Sequence, residues 1–455
     1  MDNWDLGFIL RIGEYVATRG IPVTDPFSFP GEGQPWALEQ WLGPLLFWKT
    51  YAIAGISGVI VVKAAVCALA VFFAFLAARA ASGNVLAASV GALLCASAGA
   101  VRFNAQPNVL TTLGVAVTAW ALHRARETRS LRPVAWLPLL YGVWVHTHPG
   151  YLSGLVLLGA FSAGAIVPLG ERAFTPRQAV ILGALTLGCA GAAVLSLAIF
   201  HPLHLQPLDR VFAIFSSPVS RANIIEYAPL GSSYALNGPV LLLLAAPPLG
   251  WVLARKPLPL PVVVTWAAFA IGELRVGRLV AEASIVLAPA FAQAVTAAAG
   301  SLRERGAVRA FPAALGWLAP VAGALGAAAH LASAQARPLD WPPWFYQRDC
   351  YAFIDAHQLP PRAFNDLWLG GSFIFHFDGK RKTFIDGRSF YSDRFFTEDY
   401  LPIRDARPGW EDVVRRWNIE WFLLVPGRFQ RLHDALRRSG RRVLYEDPYC
   451  AIYGG

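Results

Sequence analysis

Asp2 and Asp5 open the chain in "MDNWDLGFILRIGEYVATRG", just ahead of Leu6, Ile9, Leu10, Gly13 and Val16, which recur at helical spacing. Acids in that place complement the positive end of a helix dipole or cap its first N–H groups. Far along the chain, "ELRVGR" carries Arg275 and Arg278. A guanidinium can hold phosphate oxygens through two parallel N–H donors, or it can snorkel toward lipid headgroups. Lys63 lies inside an apolar run, where a charge faces a cavity or snorkels, and is a further phosphate candidate. His146 and His148 in "VHTHPG" could bind a metal or donate to phosphate, the alternative being an interfacial structural role. Glu39 and Glu226, each close to aromatics, offer acceptors to sugar hydroxyls or to a divalent ion, or else make caps and loop hydrogen bonds. Trp36 and Trp41 read as interface anchors or as stacking surfaces for a sugar ring.

Apolar helices must position these groups. The chain has 455 residues, 55% hydrophobic and only 15% charged, with a mean hydropathy of +0.44, and this composition belongs in a bilayer. Nothing at the N-terminus has the basic, apolar and small-residue zones of a removable export signal, so internal spans are expected to drive insertion. The net charge of +10 is ascribed to cytoplasmic loops rather than to a nucleic-acid partner.

About ten spans are expected from runs of roughly 20 apolar residues. They cover Ile56–Ala80, Asn84–Ala100, Asn108–Leu122, Pro133–Val145, Gly150–Leu169, Gln178–Phe200, Gly238–Ala254, Pro259–Ile271, Leu279–Ala299 and Ala310–Ala334. The two shortest are also readable as half-buried or broken helices. Arginines collect in alternate loops, as in "HRARETRSLRP" and "SLRERGAVR". With those loops in the cytoplasm, residues 1–55, the loop His201–Asn237 and the tail from Gln335 all face outward.

The tail changes composition. "TFIDGR", "EWFLLV", "RVLYED" and "CAIYG" read as strands, and "FQRLHDALRRSG" as a helix closed by Gly. Three segments are therefore expected: an extracytoplasmic loop with juxtamembrane helices (1–55), a transmembrane module (56–334) and a small α/β domain (335–455). Asp386 and Arg388 of "FIDGR" are expected to pair locally across a turn, and Cys350 and Cys450 to be able to form a disulfide if the tail is extracytoplasmic. Cys67, Cys95 and Cys189 sit in apolar runs as small core residues. Phosphate-binding Gly-Lys-Ser/Thr loops, dinucleotide-binding Gly-x-Gly-x-x-Gly and metal motifs such as His-Glu-x-x-His are absent from the sequence, which argues against a nucleotide-driven pump.

The acidic start, "IPVTDPFS" and "QPWALEQWL" together resemble the first extracytoplasmic loop of polytopic glycosyltransferases of the GT-C superfamily. "NAQPNVLTTL", "VWVHTHPGYLSG", "NIIEYAPL", "RVGRLVAEASIVLAPAFA", "FNDLWLGGSFIF" and "RPGWEDVVRRWNIEWFLL" follow in the order seen in uncharacterised bacterial members. Those members are related to protein O-mannosyltransferases and to the lipid A aminoarabinose transferase. The resemblance implies a GT-C-like helical fold in the bacterial cytoplasmic membrane; the arginine-rich loops and an even number of spans put both termini on the extracytoplasmic side. It also implies transfer of a sugar from a polyprenyl-phosphate donor to an acceptor hydroxyl of unknown identity; a single attack with one base needs no covalent intermediate and so is expected to invert the anomeric centre. By the same resemblance Asp5, counted back from Gly20, is the catalytic base or a metal-linked residue, with Asp2 as the alternative; neutralising the departing phosphate asks for cations, a task that Arg275 and Arg278 at an outward loop suit, with Lys63 in second rank. A divalent cation and a partner membrane protein are further expectations. Two departures stand out: the sequence starts without the helix that precedes the acidic loop in that superfamily, and Gln106 occupies a place where those proteins carry Arg.

Two other classes compete. A transporter or flippase predicts ionisable residues at the bilayer midplane, and a non-catalytic assembly subunit predicts a scaffold with Asp5 displaced and a partner on the outward surface.

Overall fold

A computed structural model describes residues 4–168, 170, 173–234, 236–306, 341–388 and 390–455. It is mostly helical, with a small sheet near the C-terminus. The chain divides into two compact units, each built from separated stretches of sequence. One comprises Met1–Ile60, His201–Asn223 and Asp340–Gly455, the other Val61–Phe200 and Ile224–Leu339. Where the sequence suggests three consecutive segments, the tail thus shares a unit with the N-terminal loop and the stretch after His201.

In the first unit, α1 (Leu6–Arg19) ends where Gly20, at φ 83°, donates its N–H to the Val16 carbonyl. Its apolar face is the one expected from the sequence, with Leu6, Ile9, Leu10 and Gly13 buried. That face does not lie free at an interface: α1 packs on the helix Leu367–His376, where Gly7 and Gly371 let the two backbones approach too closely for any side chain at either position. Burying Leu6, Phe8, Ile9, Leu10 and Ile12 contributes about 1.5–3 kcal/mol each. The stretch after His201 supplies two short helices, α8 (Gln206–Ser216) and α9 (Pro218–Asn223).

The sheet runs β1-β2-β4-β3, from β1 (Ala363–Asn365), β2 (Trp421–Leu424), β3 (Arg442–Glu446) and β4 (Ala451–Gly454). β1 and β2 are parallel, with Phe364 opposite Phe422, whereas β2–β4 and β4–β3 are antiparallel. Three of the expected strands and the helix Gln430–Arg438 are present. "TFIDGR" is not a strand. The Asn365 side chain accepts from the Phe384 N–H at 2.8 Å and donates to the Ile385 carbonyl at 2.6 Å, so the backbone groups a ladder would use are already engaged. β1 takes the fourth place. Cys350 and Cys450 form a disulfide across 100 residues, fully buried beside Tyr351, Trp421 and Ile452.

Among the described residues, four helical stretches are long and apolar enough to cross a membrane: Leu42–Ser82 (α2, of which residues up to Ile60 belong to the first unit) and, in the second unit, Val85–Arg102, Pro176–Phe200 (α7) and Gly277–Glu304. α2 bends at Gly55, whose φ of 59° suits glycine. α3 (Val85–Gly99) begins under the Asn84 side chain, which accepts the Ala87 N–H. α6 (Tyr151–Ile166) and α10 (Gly238–Ala254) are shorter and apolar. α4 (Asn108–Thr128), α5 (Leu137–Trp144) and α11 (Leu260–Arg275) complete the expected set of helices among the described residues. α5, at eight residues, is about 12 Å long and cannot cross a hydrocarbon layer of about 30 Å. The expected span Ala310–Ala334 lies outside the described residues.

α12 (Val280–Glu304) is the centre of this unit, packed on α3 and α10. Its alanine-rich face permits close approach, with Gly91 of α3 against Ala288 and Gly250 of α10 against Ala294. On α7 and α10, by contrast, Val180, Leu187, Leu195 and Val252 are more than half exposed, which is the surface a lipid-facing helix presents.

Candidate functional site

In the second unit, three chain segments meet around Glu226. The 3-10 turn Ala100–Arg102 closes α3 and delivers Arg102, the short turn Ile225–Tyr227 carries Glu226, and the turn Gly277–Leu279 before α12 carries Arg278. Two of these turns are held together by the bond from the Gly277 N–H to the Ala228 carbonyl at 2.9 Å, and a side chain at 277 would overlap Ser233. Glycine in "RVGR" therefore serves the close contact of two loops.

Arg102 is only 3% exposed and pairs with Glu226 while donating to the Tyr234 hydroxyl at 3.3 Å. Its own carbonyl accepts from Asn108 at 2.9 Å, fixing the turn. Arg278 donates to the Tyr227 hydroxyl at 3.0 Å and lies 3.9 Å from the second oxygen of Glu226, with its guanidinium 5.5 Å from the Tyr227 ring centre. Two guanidinium groups thus share the Glu226 carboxylate, and the Glu282 carboxyl lies within electrostatic reach of both. Burial pushes the Tyr234 phenol above its usual range, against the opposing pull of Arg102.

His148 faces the same cations. Its Nδ1 accepts the Gly150 N–H at 3.0 Å and lies 2.9 Å from the Thr111 hydroxyl, so the neutral ring carries its proton on Nε2. Burial, with Arg278 and Arg102 nearby, holds its pKa well below 6.5. Glu282, on the first turn of α12, is buried, and one of its carboxyl oxygens has no hydrogen-bond partner among the described residues.

The other expected residues divide as follows. Arg275 ends α11 exposed and forms no ion pair among the described residues, so Arg278 meets Arg102 rather than Arg275 at the carboxylate. Lys63 stands on α2, half-buried, one turn before Cys67 and without an ion pair among the described residues. His146 points elsewhere than His148: its Nε2 is 3.0 Å from the Ser196 hydroxyl of α7, and its ring meets Phe200 edge-on. Among the described residues no three His, Cys, Asp or Glu side chains converge as a metal site. Nothing in the spacing of the sequence singles out Arg102, although it ends an apolar span apart from the arginine-rich loops, the same signal that marks Arg275 and Arg278.

In the first unit, Asp5 holds the N-cap position of α1, yet its carboxylate accepts no N–H of the first turn. It lies instead against Gly387, where a Cβ would overlap its Oδ1. Asp2 lies outside the described residues. Beside Gly387, Arg388 binds Asp386 through Nε and Nη2, both at 2.7 Å, and reaches Asp25 through Nη1 at 2.5 Å. The expected local pair is thus one side of a three-membered cluster. Burial opposes the charge of Arg388, but Asp386 and Asp25 more than offset it and hold the guanidinium well above its ordinary pKa. Trp36 is buried, with the Arg388 guanidinium 4.7 Å from its ring centre, so it is a core residue and not an interface anchor. Glu39 is buried, and burial also pushes the Arg210 guanidinium below its usual range, with the Glu39 carboxylate opposing that shift.

Compared with known proteins, the chain matches no family model and no curated protein.

Proposed function

We propose that this protein transfers a sugar from a polyprenyl-phosphate donor to an acceptor hydroxyl at the outer face of a bacterial cytoplasmic membrane, on a GT-C-like scaffold. The observation that carries the reading is the convergence of Arg102 and Arg278 on the single carboxylate of Glu226, at the ends of apolar helical segments. A phosphate at a membrane surface needs cations with fixed geometry, and guanidinium groups supply them. The Tyr227 and Tyr234 hydroxyls hold both guanidinium groups in place. The buried Cys350–Cys450 disulfide supports an oxidising, extracytoplasmic setting for the tail.

In the reaction, the acceptor oxygen attacks the anomeric carbon while the bond from that carbon to the phosphate oxygen breaks. The acceptor proton passes to a carboxylate base, the role that the resemblance of the opening loop gives to Asp5. Charge growing on the departing phosphate is met by Arg278 and Arg102. A single displacement inverts the anomeric centre.

The test is transfer from a radiolabelled polyprenyl-phosphate sugar by the protein in proteoliposomes, with binding of unglycosylated polyprenyl phosphate measured beside it. Transfer lost in Asp5→Asn, with lipid binding retained, is the expected result. A protein that binds no polyprenyl phosphate and transfers no sugar leaves the non-catalytic scaffold as the better reading, and uptake of the lipid without transfer favours a flippase.

A further inference from the structure

The first unit contains a cleft of about 470 Å³ that the transfer reaction does not use. Its walls are the segment Phe390–Asp399, the residues around Arg416 and Trp417, and the loop at Pro30–Pro35. From its lining we infer that it binds a saccharide of one or two pyranose rings, a site independent of the proposed transfer reaction.

Three observations support this. The volume lies within the range of about 300–1,000 Å³ usual for small-ligand sites. One wall is aromatic: the Tyr391 and Phe395 rings stack at 4.9 Å with an interplanar angle of 24°, and Trp417 meets Phe395 edge-on at 6.4 Å. Tyr391 and Phe395 are buried and brace the half-buried Trp417, whose remaining ring surface suits the C–H face of a pyranose. The rim, finally, alternates acceptors with donors. Glu398 accepts from Arg394 at 2.8 Å, while Asp399 pairs with Arg416 and accepts the Trp417 indole N–H at 2.7 Å. Each carboxylate is thus fixed by a guanidinium, and together they offer the mixed donors and acceptors that neighbouring sugar hydroxyls require.

The backbone points the same way. Glu398 and Asp399 sit on a π-helical turn, Phe396–Tyr400, directly after the short helix Asp393–Phe395 capped by the Ser392 hydroxyl. π turns are uncommon and concentrate at functional sites, because the extra residue per turn redirects side chains. Arg394 and Arg416 pair with the two rim acids, and Arg210, the third cation of the lining, has Glu39 and Asp393 beside it, so little net field remains for a phosphate, and the charged rim is unlike an apolar protein-docking groove.

The experiment uses the full chain in lipid nanodiscs with methyl glycosides of glucose, mannose, galactose and N-acetylglucosamine. Binding is read by saturation-transfer NMR and titrated for Kd. At least one glycoside is expected to receive saturation on its ring protons. Glu398→Gln and Arg416→Ala, whose side chains are 53% and 57% exposed and so leave the fold intact, should each raise its Kd by about tenfold. Lys380→Ala, on a separate cleft beside Arg11 and Asp378, should leave it unchanged. Saturation of no glycoside, or a Kd indifferent to both rim substitutions, overturns the assignment. So does binding of a short peptide at this rim with no glycoside binding. Loss of transfer with glycoside binding intact would count against the proposed reaction and not against this site.

Discussion

Arg388 reaches Asp25 across 363 residues of sequence, its Nη1 2.5 Å from Oδ1. The same guanidinium is bound by Asp386 and lies over Trp36, so the N-terminal loop and the C-terminal segment share one buried cation. All three charged side chains are almost wholly withdrawn from solvent. Removing one acid leaves a buried charge short of a partner, which costs more than the pair itself contributes. Asp25→Ala is expected to destabilise the first unit by about 3–5 kcal/mol. Limited proteolysis of detergent-solubilised protein should show the N-terminal loop and the tail becoming cleavable together.

The disulfide closes a loop of 100 residues around the sheet. Chain-entropy arguments and measurements on native bridges place its contribution at about 2–5 kcal/mol. Cys350→Ala with Cys450→Ala should lower the melting temperature of the purified protein, and reduction should do the same to the parent but not to the double variant. Mass spectrometry after alkylation checks the pairing: two fewer cysteines are labelled without reductant than with it.

Periodicity made much of the helical framework legible. The apolar face of α1, the start of α3 at Asn84, three strands and the Cys350–Cys450 pair follow from local pattern and composition. What covers a face is another matter. The sequence marks the apolar side of α1 but not the helix Leu367–His376 that buries it, because that partner is set by two glycines far apart in the chain. β1 escaped notice for a similar reason: it is three residues long, with all three buried, so no alternation marks it. At the site, Arg278 and Glu226 are visible as charges in unusual places. Their meeting with Arg102 depends on three turns brought together by packing.

His148 makes the site sensitive to acid. Its folded pKa lies well below 6.5, held there by burial and by Arg278 and Arg102, so the unfolded chain takes up the proton first as pH falls. Stability from the neutral ring is complete above about pH 6.5 and is lost progressively below it, since the unfolded state then binds more protons. Melting temperature followed from pH 8 to pH 5 should fall more steeply in the parent than in His148→Gln. Equal slopes would show that this ring is not the group responsible.

The two arginines of "RVGR" and its neighbour should separate in binding. Arg278 shares Glu226 with Arg102, whereas Arg275 is exposed and forms no ion pair among the described residues. Losing one charge-assisted contact of about 1.5–3 kcal/mol weakens affinity by about ten- to a hundredfold. Arg278→Ala and Arg102→Ala are expected to weaken polyprenyl-phosphate binding by that factor, and Arg275→Ala by less than threefold, roughly within the range of a surface charge. Isothermal titration in nanodiscs reads all three.

Gly387 offers a way to move Asp5 without changing its charge. A Cβ at 387 would overlap the Asp5 carboxylate, so Gly387→Ala must shift that group or the loop that carries Asp386 and Arg388. If Asp5 is the base, a displaced carboxylate no longer reaches the acceptor proton, and kcat falls about as far as in Asp5→Asn, by roughly 10²–10⁴-fold. Polyprenyl-phosphate binding should stay at the parent level in both variants, because the cations that hold the phosphate are in other segments. Melting temperature separates the two ways the loop can respond: a value near that of the parent means the acid alone has moved. Should Gly387→Ala keep full transfer with an unaltered melting temperature, proton removal by Asp5 is wrong and another acceptor must be sought.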